Sequence, residues 1–340
     1  MTTQLMTKIG EEMAKQTKIT SFFTTPSDQR LDLFSLALSR DNVRTKFARN
    51  GPKICPFYKK IPNTGFVVDA FSYGSIPDAK VYFLTHFHSD HYTGLKNSFN
   101  HQIYCSPITA SLVRNHFKNG LFSLNVIQVN ETRDVLSTKV TFFEANHCPG
   151  AVVILFELSN GCRYLHTGDF RANHSFFAYQ QLICKPIDTI FLDTTYCDPK
   201  YDFLPQKDIL KTIVSIADEH YKKNKKVLIV CGTYTIGKEN VFIEIANALG
   251  LKVWTNPTKQ QIYKCYKSEE MDSVLVPYRQ QSRIHVLSMN SINENEYLKE
   301  FDGLYDEVVA FRPTGWEHNK NSKNGVKVRK YKNITIYGQL

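Results

Sequence analysis

Several features that mark other protein classes are absent from this sequence. None of its eight cysteines belongs to a C-x-x-C pair, which argues against a zinc knuckle or a disulfide framework and favours reduced thiols in the cytosol or nucleus. No run of about 18 apolar residues is present, and the first residues lack the apolar core of a signal peptide. We therefore expect a soluble, intracellular protein with no membrane partner.

Positive charge dominates the ionisable side chains. The 340 residues include 42 lysines and arginines against 32 aspartates and glutamates, which gives a formal net charge of +10. This excess favours a polyanionic partner such as nucleic acid, although many basic proteins bind no polyanion. A hydrophobic share of 42% is enough for one large core or for two domains.

The densest group of potential metal ligands lies in V-Y-F-L-T-H-F-H-S-D-H, residues 81–91. An apolar strand leads directly into four such ligands, which are His86, His88, Asp90 and His91. Alternation along a strand turns the first two histidines to the same side, and the other two ligands follow where the chain leaves the sheet. The sequence therefore predicts ligands for two neighbouring metal ions.

Other acidic and imidazole side chains also follow predicted strands. They are Asp69, His147, Asp169 and Asp193. We predict that these strand ends form one functional edge of a layered β structure. One ion would then be held by His86, His88, His147 and Asp169, and a second by Asp90, His91 and Asp169. Histidine-rich ligation favours Zn²⁺, one ion or two, but mixed nitrogen and oxygen ligands also suit Mn²⁺ or Mg²⁺.

After Asp193 the pattern changes to alternating strands and helices, which is typical of a parallel α/β module. We place this second lobe at residues 198–330, with helices around residues 209–221, 240–249 and 257–266. Its first strand leads into the loop T-Y-T-I-G-K-E, in which glycine permits close approach of the backbone to a phosphate. We predict nucleic-acid contacts here from Thr233, Tyr234 and Lys238.

Residues 1–45 are polar and predict a flexible arm. Within the arm, Q-T-K-I-T-S-F-F resembles the box by which replication and repair proteins dock on the sliding clamp PCNA. Ile19, Phe22 and Phe23 fall on one side of a helical turn and can fill an apolar pocket, while Gln16 hydrogen-bonds beside it. The alternative is that both phenylalanines pack back onto the globular domain.

The segments H-F-H-S-D-H, N-H-C-P-G and H-T-G-D-F-R, together with Asp69, resemble the four opening motifs of the metallo-β-lactamase superfamily. C-P-F-Y-K-K-I-P-N-T-G-F-V-V-D-A-F, F-L-D-T-T-Y-C, G-T-Y-T-I-G-K-E and F-R-P-T-G-W resemble its β-CASP branch acting on DNA, the cross-link repair exonucleases of the Pso/Snm type. The resemblance implies an α/β protein. Residues 46–197 would form the N-terminal part of a metallo-β-lactamase αββα sandwich. Residues 198–330 would form an inserted β-CASP α/β lobe, and residues 331–340 would start the return of the chain to the sandwich.

The same resemblance implies a function. Enzymes of this type are metal-dependent nucleases that degrade DNA from a 5′-phosphate end in the 5′-to-3′ direction, in nuclear interstrand cross-link repair. It implies catalytic roles for Asp90 and Asp169, supported by Asp69 and Asp193. Asp193 corresponds to the first β-CASP motif and would support the site from behind the ligands.

The family pattern continues past I-Y-G into a segment whose serine-flanked histidine binds the second ion, whereas only Gln339 and Leu340 follow Gly338 here. We therefore expect an incomplete sandwich, an incomplete second ion site and impaired activity. A β-CASP RNA endonuclease and a noncatalytic repair scaffold docked on PCNA stay open as alternatives. A small-molecule hydrolase of the superfamily fits the metal motif but neither the second lobe nor the charge.

Overall fold

The computed structural model describes residues 53–198, 201, 203–292, 305–314, 327–331 and 334–338. The predicted arm and its PCNA-like box, Gln16, Ile19, Phe22 and Phe23, lie outside the described residues. Across the described part of the chain, none of the helices is both long and apolar enough to cross a membrane.

The first sheet contains five strands, of which only the first is antiparallel to its neighbour. In spatial order they are Lys60–Ile61 (β1), Phe66–Val68 (β2), Val81–Phe83 (β3), Gln102–Cys105 (β4) and Ser123–Val126 (β5). The strand predicted at residues 81–84 is confirmed as β3. Parallel pairing of β2 with β3 and of β3 with β4 brings the loops that follow these strands to one edge.

The second sheet also contains five strands, and its pairs are antiparallel except for the last two. In spatial order they are Thr132–Val135 (β6), Thr138–Glu144 (β7), Val152–Leu158 (β8), Arg163–His166 (β9) and Thr189–Phe191 (β10). Chain reversal between β7 and β8 occurs at the N-H-C-P-G motif. His147 is therefore held at the end of two long, paired strands.

A buried apolar layer joins the two sheets. Phe83 is fully buried in it, with its ring centroid 5.3 Å from that of Phe66 and 5.0 Å from that of Phe156 in the opposite sheet. Val81 and Phe83 face this layer, whereas Tyr82 belongs to the cluster on the other side of the first sheet, as the two-residue period of a strand requires. The predicted two-sheet sandwich is confirmed.

Three helices belong to this sandwich: Ser89–Tyr92 (α1), Pro107–His116 (α2) and Gln180–Ile183 (α3). The sequence pattern predicts a helix over residues 107–117, which agrees with α2 to within a residue. It begins where the Ser106 side chain accepts a hydrogen bond from the Thr109 amide at 3.2 Å, and Pro107 provides the fixed φ of a first helical residue.

The second lobe is built on a third sheet flanked by helices. Its strands are Val227–Thr233 (β11), Val253–Thr255 (β12), Ile284–Ser288 (β13), Glu307–Arg312 (β14), Lys327–Tyr331 (β15) and Ile334–Gly338 (β16), in the spatial order β12-β13-β11-β14-β16-β15. Its helices are Gln206–Lys223 (α4), Glu239–Leu249 (α5), Pro257–Lys264 (α6) and Glu269–Val274 (α7). All strands are parallel except β15, so the predicted parallel α/β module is confirmed.

The position of β16 differs from the sequence prediction. The resemblance predicts that residues 331–340 return into the sandwich, yet β16 pairs in parallel with β14 and antiparallel with β15. The reason is packing: Ile334 and Ile336 are buried in the apolar cluster that also contains Val308 and Ala310 of β14. This strand therefore extends the sheet of the second lobe.

Candidate metal centre

Loops at the ends of β2, β3, β7 and β9 bring the predicted ligands together. His86 and His88 follow β3, His91 lies on α1, His147 follows β7 and Asp169 follows β9. Among the described residues, two sets of side chains could each hold a cation, because the donor atoms within each set lie within 4.8 Å of one another. The first set is His86, His88, His147 and Cys148, and the second is His86, His91 and Asp169.

Hydrogen bonds around the first set fix which ring nitrogens carry protons. The Thr85 hydroxyl donates to Asp69 Oδ2 at 2.8 Å, so at 3.0 Å it must accept from His86 Nδ1, and His86 Nε2 is left as a lone pair. His88 Nε2 lies 3.1 Å from the Ile236 carbonyl, which can only accept, so the Nδ1 atom of a neutral His88 is also a lone pair.

These two lone pairs point at each other. His86 Nε2 lies 2.9 Å from His88 Nδ1, and His147 Nε2 lies 3.1 Å from the same His88 atom. Burial lowers the pKa of His86 well below its usual value and lowers the pKa of His147 to about 4, so both rings are neutral at pH 7. Converging unprotonated imidazoles require a shared proton or a cation, and this donor set suits a divalent metal ion.

His91 forms the centre of the second set. Its Nδ1 donates to Asp69 Oδ2 at 2.7 Å, and its Nε2 lies 3.3 Å from Asp169 Oδ1. Burial lowers the pKa of His91, but the Asp69 and Asp169 carboxylates outweigh burial and raise that pKa to about 10. For Asp169, burial raises the pKa, but His91 and then His147 lower it by more. The pKa of Asp169 therefore lies below its usual value. The carboxylate therefore faces the histidines in its charged form.

Asp69 supports the centre from behind. It is buried, with φ of +52°, and its Oδ1 accepts the Thr85 amide at 2.9 Å while its Oδ2 accepts from Thr85 and His91. No described contact joins it to the converging lone pairs. Its position is that of a residue that orients a ligand ring, which is a common arrangement around metal-binding histidines.

The turn that carries Asp169 depends on its glycine. Gly168 has φ of +52°, and a Cβ at this position would lie 2.9 Å from the Thr85 Cβ and Oγ1 atoms. The Gly168 amide donates to His166 Nδ1 at 3.1 Å, and burial lowers the pKa of His166 to about 4, which keeps this acceptor unprotonated. The turn thus sets Asp169 beside the histidines through close backbone packing.

Asp90 and Asp193 lie at the margin. The Asp90 side chain is 76% exposed, and its Oδ2 lies 3.6 Å from His91 Nε2, the nearest described approach to the cluster. Asp193 Oδ2 accepts from the Phe170 amide at 3.4 Å, and Asp193 Oδ1 accepts from the Thr195 amide at 2.9 Å. Asp193 therefore holds the segment next to Asp169. Its role in catalysis stays a prediction.

The second lobe contributes a loop to this centre. A Cβ on Gly237, which has φ of +94°, would lie 3.8 Å from His88 Nε2 and 3.5 Å from the Cys148 Cβ. Buried Glu239 holds the loop, because its Oε1 accepts from the Gly237 amide at 2.7 Å and from the Tyr266 hydroxyl at 2.8 Å. Lys259 Nζ donates to the carbonyls of Tyr234 and Thr235 from the other side.

The predicted nucleic-acid contacts divide into two kinds. Tyr234 is 41% exposed, and Lys238 is half-buried with φ of +73° at the start of α5. Burial and then Arg171 lower the pKa of Lys238 to about 8. Thr233 differs from the prediction: it is the last residue of β11, is buried, and its hydroxyl donates to the Leu287 carbonyl at 3.3 Å. Its side chain ties the end of β11 to β13 and is not on the surface.

Sequence reasoning missed two contributors to the centre. Cys148 directly follows His147 in N-H-C-P-G and joins the first donor set, a position that the motif itself signals. Burial and then Glu239 raise the pKa of the Cys148 thiol well above its usual range, so the thiol is protonated without an ion. The Ile236 carbonyl was also missed, since a main-chain group leaves no residue-type signal.

Comparison with known proteins gives consistent matches. Residues 269–339 match the family described as DNA repair metallo-beta-lactamase. The chain is 39% identical over 323 residues to the DNA cross-link repair protein SNM1 of Arabidopsis thaliana, covering 93% of this chain and 67% of that protein. It is 44% identical over 291 residues to the DNA cross-link repair 1A protein of Gallus gallus, covering 84% of this chain and 30% of that protein.

A further relative is the 5′ exonuclease Apollo of Gallus gallus, 30% identical over 256 residues, with 75% of this chain and 54% of that protein covered. The chain spans less than a third of the length of the vertebrate cross-link repair 1A proteins that it matches. The extended match to the plant protein, the two-sheet sandwich and the added α/β lobe agree with one another. The chain belongs to the Pso2/Snm1 family of metallo-β-lactamase DNA repair proteins.

Proposed function

We propose that this chain is a metal-dependent nuclease that removes nucleotides from 5′-phosphorylated DNA ends in the 5′-to-3′ direction. The observation that carries the proposal is the pair of lone pairs on His86 Nε2 and His88 Nδ1, 2.9 Å apart and next to the Asp169 carboxylate. The relative Apollo, which is named a 5′ exonuclease, supports the choice of end.

The ion-holding residues would be His86, His88, His147 and Asp169 for one ion, and His91, Asp90 and Asp169 for a second. Zn²⁺ is the first choice because imidazole dominates the donor set, with Mn²⁺ or Mg²⁺ as alternatives. Divalent ions at such a site supply Lewis-acid activation of a phosphorus centre and of a water nucleophile. Cys148 is a further candidate donor in the first set.

The protein itself would orient ligands and receive the charge of the substrate. Asp69 and Thr85 hold the rings of His91 and His86, and the Ile236 carbonyl holds the ring of His88. Lys238 lies at the start of α5, beside the loop that reaches the centre, where its cation can receive a phosphate. Arg171 is exposed and acts electrostatically on both His147 and Lys238.

The cellular role that we propose follows the relatives, whose names place them in DNA cross-link repair. The chain would act on interstrand cross-links in the nucleus. Docking on PCNA through Gln16, Ile19, Phe22 and Phe23 would bring it to replicated DNA.

The first experiment is cleavage of a 5′-phosphorylated, 3′-labelled single-stranded DNA by the purified chain. The same DNA with a 5′-hydroxyl, an RNA of the same sequence and a chelated sample are compared, and bound metal is measured on the enzyme used. We expect metal-dependent release of nucleotides from the phosphorylated DNA end. Preference for RNA, or internal cuts, would replace this proposal with an RNA endonuclease.

The Asp169→Asn variant separates cleavage from binding. It removes the carboxylate charge between the two donor sets at nearly constant volume, so cleavage should fall by at least about a hundredfold while DNA binding persists. DNA binding by a metal-loaded wild-type chain with no cleavage of any substrate would contradict the nuclease and favour a scaffold.

A further inference from the structure

A group of aromatic side chains lies where the sandwich leads into the second lobe. The group consists of three rings in mutual contact, Tyr196, Tyr201 and Phe203. The ring centroid of Tyr196 lies 5.0 Å from that of Tyr201 and 5.0 Å from that of Phe203, and the latter two centroids lie 5.8 Å apart. Large parts of these rings face solvent: Tyr196 is 37% exposed and Phe203 is 45% exposed. Neighbouring exposed rings form a contiguous apolar patch, and such patches are typical of interaction sites.

The aromatic group is tied to the metal centre by a short series of contacts. Three residues before Tyr196, Asp193 accepts hydrogen bonds from the amides of Thr195 and Phe170. Phe170 directly follows Asp169, whose carboxylate faces the histidines. The aromatic rings therefore stand beside the end of the sandwich at which cleavage is proposed.

The second lobe adds a further ring and positive charge. Arg171 directly follows Phe170, whose amide donates to Asp193, so Arg171 belongs to the segment that is bonded to the one leading to Tyr196. In agreement with this, burial and then Tyr234 raise the pKa of Tyr196, while Arg171 lowers it. Tyr234 is 41% exposed and begins the loop whose Ile236 carbonyl contacts His88. Arg171 in turn acts on His147 and Lys238. Aromatic rings and cations of both lobes thus belong to segments that contact the centre or its neighbouring residues.

We propose that Tyr196, Phe203 and Tyr234 form a nucleobase-stacking subsite for single-stranded DNA, with Arg171 and Lys238 receiving the adjoining phosphates. This subsite deepens the proposed nuclease function and rests on it. Bases of every identity present a π face, so stacking holds a strand without reading its sequence. The neighbouring cations and the net charge of +10 favour a polyanionic strand over an apolar peptide as the occupant.

Stacking predicts a dependence on the base itself. The full chain is mixed with short 5′-phosphorylated strands that carry phosphorothioate linkages to resist hydrolysis, and in one strand the first two nucleotides are abasic. We expect the base-bearing strand to bind about five- to 150-fold more tightly than the abasic strand. A strand with 2-aminopurine near the 5′ end should lose fluorescence on binding, because stacking quenches this base.

Single substitutions identify the rings. Tyr234→Leu and Tyr196→Leu keep apolar volume without a π face, and each should reduce the preference for base-bearing DNA and the quenching. Tyr234→Phe and Tyr196→Phe should keep both. The matched control is Tyr278→Leu, at a position that is 66% exposed. Because β13 and β11 are parallel, Tyr278 before β13 and Tyr234 after β11 lie at opposite ends of these strands. The loss of Tyr278 should therefore change neither the base preference nor the quenching.

The outcomes separate the subsite from the nuclease. Equal affinity for abasic and base-bearing strands, with normal cleavage, would overturn the subsite and leave the nuclease standing. A base preference that both leucine variants retain would also overturn it. Loss of preference in the leucine variants, with thermal melting unchanged and no cleavage by any form, would support the subsite while removing the nuclease.

Discussion

The imidazole of His88 and the main-chain carbonyl of Ile236 join the two lobes at the metal centre, with 3.1 Å between Nε2 and the carbonyl oxygen. Because this bond fixes the His88 proton on Nε2, it directs the Nδ1 lone pair at His86 and His147. The lobe that carries the loop therefore prepares a donor atom of the sandwich. Metal affinity should depend on how firmly the second lobe holds that loop.

Glu239→Ala should weaken metal binding by about tenfold or more, because the Gly237 amide and the Tyr266 hydroxyl lose their common acceptor. Glu239→Gln keeps an acceptor oxygen and should bind metal nearly as the unchanged chain does. Titration against a competing chelator, and the absorption spectrum of the Co²⁺ form, measure the effect.

The control for that prediction is Glu157→Ala. Glu157 pairs with Arg163 at 3.0 Å near the far end of β8, so its loss affects stability but should leave metal affinity unchanged. Equal loss of metal affinity in both alanine variants would show that general destabilisation, and not the loop, is responsible.

His147→Ala should lower bound metal and reduce cleavage by at least about a hundredfold. Because the His147 side chain is only 23% exposed, its removal should also lower the free energy of unfolding of the metal-free protein, by about 0.5–3 kcal/mol. His174→Ala provides a matched histidine on the surface outside the cluster. Metal content by mass spectrometry and cleavage rates distinguish the two, and wild-type metal content in His147→Ala would exclude it as a ligand.

Binding of 5′-phosphorylated DNA should weaken as the pH rises. Burial and then Arg171 lower the pKa of Lys238 to about 8, so its ammonium group is charged below this pH and loses its proton above it. Lys238→Arg keeps the charge and should remove this dependence, and Lys238→Gln should bind weakly at every pH. Fluorescence anisotropy between about pH 7 and 9 tests the prediction, which fails if the three chains show the same pH dependence.

Phe83→Ala should lower the free energy of unfolding by about 3–5 kcal/mol, because it removes a fully buried ring from the layer between the two sheets. Leu121→Ala, at a position 94% exposed, should change it by less than about 0.5 kcal/mol. Denaturant titration of both variants provides the comparison, and a similar small effect in both would mean that the layer is not a packed core.

Replacing Phe22 and Phe23 by alanine should abolish capture of the chain on immobilised PCNA, since both apolar anchors of the box are lost. The nuclease rate on short DNA should stay the same. Lys18→Ala changes a position of the box that carries no anchor and should still be captured. Capture of the double alanine variant at the wild-type level would rule out the box as the docking site.

The metal centre could be predicted from the sequence because its ligands directly follow recognisable strands. The predicted strands end in these ligands, so His86, His147 and Asp169 could be grouped at one edge of a layered structure before any coordinates. The contacts by which the second lobe supports the ligands could not be predicted in this way. The Glu239 side chain and the Ile236 carbonyl reach the centre through tertiary packing of the second lobe, which local periodicity does not encode.

Strand assignment shows the same limit. A two-residue apolar period identifies Ile334–Gly338 as a strand, but it does not say which sheet accepts it. The sequence predicts a nucleic-acid contact from Thr233, yet this residue completes β11 and is buried. Partner choice between strands depends on which apolar faces meet, and those faces come from distant parts of the chain.

The hydrogen bond between His88 and Ile236 joins residues 148 positions apart, and β11, which leads to Ile236, lies between β13 and β14. During translation the ribosome completes every histidine of the cluster long before it reaches residues 284–312, which flank β11 on both sides. A nascent chain therefore contains its ligands before β11 can be fixed between its neighbours, and so before the Ile236 carbonyl is held in position to orient His88. Hydrolytic competence would arise late in synthesis, once the second lobe has emerged from the exit tunnel and folded.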